Sequence, residues 1–445
     1  MNRAQLVPGY APRAVRWRTV VDLLPAIYPL ALVLGVVAIP GGNILLRLGL
    51  VVAAVPGLLR LGRMTRTHRR WFAVLGVYIA AVTLSTISSV DASLSLADLA
   101  RQVFLVAVTA GLGLALSEAR ARSAFAIGAV VVSMAATASI LLLYVGITEL
   151  APIKPVQESI AAYAADRFGS FGNAVAFAAV LAAAVAIPYV ARRRVVLVLL
   201  VVTVAVGVAA AGSRTTVISL LAFIPVTAAF LLFHRQRLVP MWIPYGAVAV
   251  IVGWAVLAYS EDLRRAFLSP ALNELTTGRT LLWDAAWEKF LERPLFGWGG
   301  RSYAIELGAY LPPGAQLYYA EDLVILTVSG GAHNAFLTVL AERGIVGVVS
   351  LGVMVAFLLY LGLTIFRSRH RLSGPDRAFG WLAPCIVVLI LVRSLGESPG
   401  WFGTADSLVD FLAFGVAAML VAVAASLDPG RERSPEPEQS LSTGT

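Results

Sequence analysis

Three side chains in this 445-residue chain have the type and setting to do chemistry: His333, Arg279 and Arg214. Of the four histidines, His68, His234 and His370 lie inside arginine clusters (HRR, HRQR and RSRHR), whereas His333 opens the segment HNAFLTVLAERG. Near a helix start the protonated imidazole is disfavoured, which suits His333 to be neutral and to accept a proton. A capping or packing histidine would fit the same position. Arg279 falls in the first turn of a predicted helix, where a cation opposes the helix dipole at a cost of a few tenths to about 1 kcal/mol. A bound anion reverses the sign, because free N–H groups and a guanidinium then face one charge. An arginine reaching to a lipid interface is the alternative. Arg214 sits in a tight AGSRTT turn between two apolar runs, either as an interfacial anchor or as a fixed cation with little freedom to move.

The stretch that must position these groups runs from about Ser260 to Gly344 and lacks an apolar run of membrane length. Its apolar residues Leu282, Trp283, Ala286, Trp287 and Phe290 recur at helical spacing. They predict an amphipathic helix from Thr277–Gly278 that ends before Pro294 and the GWGG run at 297–300. A second short helix is predicted over His333–Arg343, with Gly344 as its stop.

Around this stretch the chain is 59% hydrophobic and 13% charged, with a mean hydropathy of +0.83. That excludes an ordinary soluble domain and predicts an all-α polytopic membrane protein. Candidate spans lie at about 21–39, 44–59, 71–89, 99–117, 124–147, 173–191, 194–211, 215–233, 241–259, 345–366, 378–396 and 406–426, about twelve in all. The expected organisation is a basic cytoplasmic N-terminus (1–20), spans one to nine (21–259) and an outward loop (260–344). Three more spans (345–427) and a Pro/Glu/Ser-rich cytoplasmic tail (428–445) complete it.

Most of the 35 basic residues fall in alternate connections: Arg60–Arg70, Arg120 and Arg122, Arg192–Arg194, Arg235 and Arg237, Arg367–Arg377 and the two termini. By the positive-inside rule both termini are cytoplasmic. The formal charge of +10 therefore reflects topology, and nucleic acid is not an expected partner. Basic residues outside these connections, among them Arg101, Arg167, Lys289, Arg301, Arg343 and Arg393, need another reason, and anion binding is one. The single cysteine, Cys385, lies in an apolar run and excludes a disulfide framework or a thiolate zinc site. The sequence contains no H-E-x-x-H or D-x-D cluster and no glycine-rich nucleotide loop, so no metal or cofactor is expected.

The string GR-x3-W (Arg279, Trp283), then P-L-x-G-x-G (Pro294–Gly299), then HN-x-F-L-x-x-L-x-E-x-G-x-x-G (His333–Gly347) resembles the O-antigen ligase and O-antigen polymerase superfamily. The turn at Ser213–Arg214 and the segment RFGSFGN (Arg167–Asn173) sit where that family has related motifs. After Asn173 this chain has Ala174–Val175, where the family often has a second Asn after a Pro.

The resemblance implies a GT-C-like membrane fold and a metal-independent glycosyltransferase of the cytoplasmic membrane with an extracytoplasmic site. Such an enzyme moves a glycan from an undecaprenyl-pyrophosphate carrier to an acceptor hydroxyl on a glycan, lipid or protein. It implies that Arg214 and Arg279 hold the pyrophosphate, that His333 activates the acceptor and that Arg167 is a further anion ligand. Asn334, Trp283, Gly297 and Gly299 are the motif positions expected to line the substrate. One dominant outer loop leans toward ligase-like members, with a polysaccharide polymerase as the alternative. A transporter or flippase of lipid-linked glycan is a second alternative, against which stands the absence of repeat halves.

Overall fold

The structure is a computed structural model and describes residues 20–36, 42–144, 169–191, 193–211, 216, 219–220, 279–310, 331–396 and 408–428. Among these residues every regular element is helical. The helices are α1 (Ile27–Val36), α2 (Gly42–Leu58), α3 (Arg66–Ile87), α4 (Ala92–Ala115), α5 (Ala119–Tyr144) and α6 (Gly169–Val190). They continue with α7 (Arg194–Ala211), α8 (Arg279–Glu292), α9 (Ala335–Arg367), α10 (Gly374–Gly396) and α11 (Leu408–Ala425).

Five of them, α3, α4, α5, α9 and α10, are long and apolar enough to cross a membrane; α1, α2, α6, α7 and α11 are shorter apolar helices. The five long helices fall where spans were expected, and the five shorter ones overlap further expected positions without reaching membrane length among the described residues. The two spans expected at 215–233 and 241–259 lie outside the described residues. Large apolar side chains face outward on the peripheral helices, including Ile44 on α2, Ile87 on α3 and Val195 on α7. In a chain of this composition that outer band is the lipid-facing surface.

Helix α11 is the hub. It packs against α1, α3, α4, α6 and α9, and from Val409 to Ala425 its side chains are buried on every face. A helix apolar all round is stable only inside other helices, and the small residues Ala413, Gly415, Ala417 and Ala418 let its neighbours come close.

The bundle has two chemically different ends. At one, Arg122 makes an ion pair of 2.5 Å with Asp376, whose other oxygen accepts from Tyr189, which ties the starts of α5 and α10 to the end of α6. At the same end Arg60 pairs with Asp22 at 2.6 Å, and Thr67 bonds through its N–H and hydroxyl to Asp428. This end gathers the clusters at 60–70, 120–122, 193–194 and 367–377, as the alternation of basic connections requires. His68 is buried there, and its Nδ1 accepts from the backbone N–H of Thr65 in a capping box at the start of α3. The other end carries α8, the Pro294–Tyr310 segment and the start of α9.

Candidate active site

At this second end the chain builds a nested set of turns from glycine, serine and two short motifs. Helix α8 covers the predicted amphipathic stretch, but its buried face differs from the predicted one. Leu282, Ala285, Ala286 and Lys289 are buried at i, i+3, i+4 and i+7, whereas Trp287 is 50% exposed. The sequence pattern favoured Trp287 as a core residue. The structure buries Lys289 instead, because its ammonium finds the Ile305 carbonyl and the ring faces of Trp298 and Tyr310 at 3.9 and 4.8 Å. Burial pushes the Lys289 pKa down to about 8.

The Pro294–Ser302 segment lies between the α3–α4 turn and α9 and bonds to both. Trp298 N–H donates to Ala341 O at 3.0 Å and Gly299 N–H to Glu342 O at 2.8 Å. From α9, Ile345 N–H returns to Pro294 O at 2.8 Å and Val346 N–H to Leu295 O at 3.2 Å. Those last two bonds exist because α9 breaks at Gly344, whose φ of 61° and ψ of −160° turn the following amides outward. Gly344 therefore ends the short helix, as predicted, and a second helical arm continues in nearly unbroken sequence to Arg367. On the far side Val90 N–H and the Ser89 hydroxyl both donate to Trp298 O, and the Ser95 hydroxyl donates to Gly300 O at 3.2 Å.

Gly297 and Gly299 are structural in this setting. Gly297 has φ of 69° and lies so close to the Glu342–Arg343 peptide that a Cβ would overlap it. Gly299 likewise abuts Ser89 and Ser95. Both were expected to line the substrate; their contacts show that they allow the backbone to dock.

Beneath this docked loop lies a buried polar cluster that the sequence reading did not assemble. Asp98 accepts from Arg343 at 2.7 Å and from Arg101 at 2.9 Å, while Arg343 also donates to the Tyr78 hydroxyl at 3.0 Å. Tyr78 donates in turn to Gln102 at 2.8 Å. Arg343 and Arg101 therefore have a carboxylate partner within the bundle, a reason for these two cations other than anion binding. The available signal was Asp98 itself, an acid inside an apolar helix.

His333 stands just before α9 rather than inside it. The helix starts at Ala335, and Asn334 is its N-cap, accepting from Phe336 N–H at 3.0 Å and Leu337 N–H at 3.1 Å. Asn334, expected to touch substrate, thus has its side-chain oxygen engaged as the cap. His333 has φ of 50°, a left-handed conformation that L-residues adopt at a cost of order 1–3 kcal/mol. Among the described residues the other non-glycine residues with positive φ are Arg301 and Glu306, both in the same region.

The residue before His333 is held from two sides. Trp283 Nε1 donates to Ala332 O at 2.9 Å, and Ala332 N–H donates to the Thr338 hydroxyl at 3.0 Å. Trp283 lies one turn after Arg279, the first residue of α8. One indole thus ties the GR-x3-W and HN motifs together across 49 residues. Arg214 and Arg167 lie outside the described residues.

Fold and site together define a helical, membrane-embedded protein that fastens two polar motifs to one end of its bundle. Residues 199–352 match the protein family described as O-antigen ligase, and the match supports membership of the O-antigen ligase and polymerase superfamily. Members of that family are glycosyltransferase-like enzymes with lipid-linked glycan substrates. The matched stretch runs from α7 through α8 and the docked loop into α9. No curated protein matches the chain.

Proposed function

We propose that this protein is a ligase-like glycosyltransferase of the cytoplasmic membrane. It takes a glycan from a polyprenyl-pyrophosphate carrier and transfers it to an acceptor hydroxyl outside the membrane, within the 260–344 segment. The observation that carries this reading is the Trp283–Ala332 bond. It brings the start of α8, where Arg279 lies, to the strained backbone of His333.

In the reaction the acceptor oxygen attacks the anomeric carbon as the bond to the pyrophosphate oxygen breaks. The electron pair leaves with the pyrophosphate, and His333 takes the acceptor proton. Pyrophosphate is already a good leaving group, so the main demand is to hold and neutralise its charge. Arg279, Arg214 and Arg167 meet that demand through planar, permanently charged grips on phosphate. A neutral imidazole beside a helix start is a suitable base near pH 7. Arginine fills the role a divalent ion has in other phosphate chemistry, and turnover is expected to persist in EDTA.

The test reconstitutes the protein with labelled lipid-linked donor and candidate acceptors. His333→Ala should lower turnover roughly 10²–10⁴-fold with donor binding nearly intact. Arg279→Lys should weaken both binding and turnover. Trp283→Phe keeps the ring but loses the N–H to Ala332, and should lower turnover by about tenfold or more. Wild-type product levels in His333→Ala would remove the base. Donor crossing the bilayer without any product would replace the transferase by a transporter. Chain extension of the donor glycan itself would make the enzyme a polymerase.

A further inference from the structure

The basic end of the bundle holds a cavity of about 180 Å³ where the start of α3, the end of α9 and the end of α11 meet. Phe357, Tyr360, Leu361 and Thr364 line it at spacings that put them on one face of α9. Ser368 and Arg371 continue the same wall, and Arg70 faces it from α3. Along α9 the wall therefore changes from apolar to hydroxyl within roughly 16 Å from residue 357 to 368, and Arg371 follows in the turn after the helix.

The charges in this cavity are unbalanced. Asp428 also lines it, but its two oxygens accept from Thr67 N–H at 2.8 Å and Thr67 Oγ at 2.9 Å. Among the described residues neither Arg70 nor Arg371 forms an ion pair. Nearby Arg369 is otherwise engaged, stacked on Trp381 at 3.9 Å. Two guanidiniums thus share the recess with one carboxylate that bonds Thr67 and forms no ion pair with either, which leaves an excess of positive charge at the end where the basic connections collect. Tyr360, 51% exposed, is placed as an aromatic at the membrane–water boundary.

We propose that this recess is a binding site for one anionic phospholipid. Its phosphate lies between Arg70 and Arg371, its glycerol region meets Thr364 and Ser368, and its acyl chain follows Phe357 and the exposed ring of Tyr360. A free phosphate would satisfy the arginines but leave the apolar wall uncovered, and a neutral lipid would do the reverse. Basic recesses between membrane helices on the cytoplasmic side have this recognition chemistry, and guanidinium–phosphate pairs are strong because they are charge-assisted and bidentate.

The test is independent of the glycan reaction. The full-length protein in detergent is titrated with phosphatidylglycerol or phosphatidylcholine of identical acyl chains and read by native mass spectrometry. Inorganic phosphate serves as competitor. Wild type should retain one phosphatidylglycerol in preference to phosphatidylcholine. Arg70→Gln and Arg371→Gln should each weaken retention about tenfold, as expected for loss of a charge-assisted bond. Arg120→Gln, an exposed cation at the same end that does not line the recess, should retain it as wild type does. In parallel, a photoreactive phosphatidylglycerol should crosslink to the 357–371 segment of unmutated protein, a readout that does not depend on how the variants fold. Equal retention of both lipids by wild type, equal loss in Arg120→Gln, full displacement by millimolar inorganic phosphate, or crosslinks elsewhere would each overturn the proposal.

Discussion

Arg343 Nη2 stands 2.7 Å from Asp98 Oδ2, with both side chains removed from solvent. Since Arg343 ends the short helical arm that begins behind His333, and Asp98 belongs to a membrane-length helix, this pair fixes the outer motif to the bundle. Removing one partner leaves an uncompensated buried charge, typically worth about 3–5 kcal/mol. Arg343→Met and Asp98→Leu should each lower the thermal midpoint in detergent sharply. The double variant should be less damaged than the sum, since it removes the Arg343–Asp98 pair together and leaves only Arg101 without its carboxylate. Additive losses in the double-mutant cycle would show that the two residues act independently.

Gly297→Ala should destabilise by about 1–3 kcal/mol, because a Cβ there meets the Glu342–Arg343 peptide and φ is 69°. Gly352→Ala is the matched control. Nothing lies within 4 Å of a Cβ at that position, and in mid-helix alanine is favoured by up to about 1 kcal/mol. Thermal unfolding followed by size-exclusion chromatography compares the two. Equal midpoints would mean that the loop does not need to dock as described.

Lys289 provides a pH-dependent effect. Its folded pKa, about 8, lies below the ordinary 10.5 because burial disfavours the charged form. Between those values the unfolded chain holds the proton and the folded chain does not, so this group makes stability rise as pH climbs through the window. Below pH 8 the buried ammonium carries its full desolvation penalty. Lys289→Met should therefore raise the midpoint more at pH 7.5 than at pH 10. A wild-type-to-variant gap that is constant across this range would refute the assignment.

Topology can be read with two cysteines placed where the structure has room. Gly62 lies at the basic end and Gly308 in the opposite segment, and a Cβ at either meets nothing within 4 Å. The native Cys385 is buried and should stay silent. A membrane-impermeant maleimide applied to intact cells should label Gly308→Cys and spare Gly62→Cys. The reverse pattern would move the reaction to the cytoplasmic side and end the outward-glycan reading.

Much of the architecture is legible in the amino-acid sequence alone. Apolar run length identifies membrane helices because hydrocarbon leaves the backbone no other partner, and the arginine clusters place their ends together. The helix over residues 279–292 follows from its periodicity and from Pro294, and the break at Gly344 from glycine's freedom at positive φ. His333 also stands out in the sequence, since the other histidines sit among arginines. What the sequence could not decide is which polar groups satisfy one another.

Trp287 and Lys289 exchange their expected places because a carbonyl and two aromatic rings, 9 to 21 residues away, make burial of an ammonium affordable. Arg343 reads as a cation awaiting an anion until Asp98, 245 positions earlier, arrives beside it. Local spacing reports which face a helix presents. Only the tertiary structure decides whether a buried charge on that face meets its partner, because that energy depends on contacts between segments far apart in the chain.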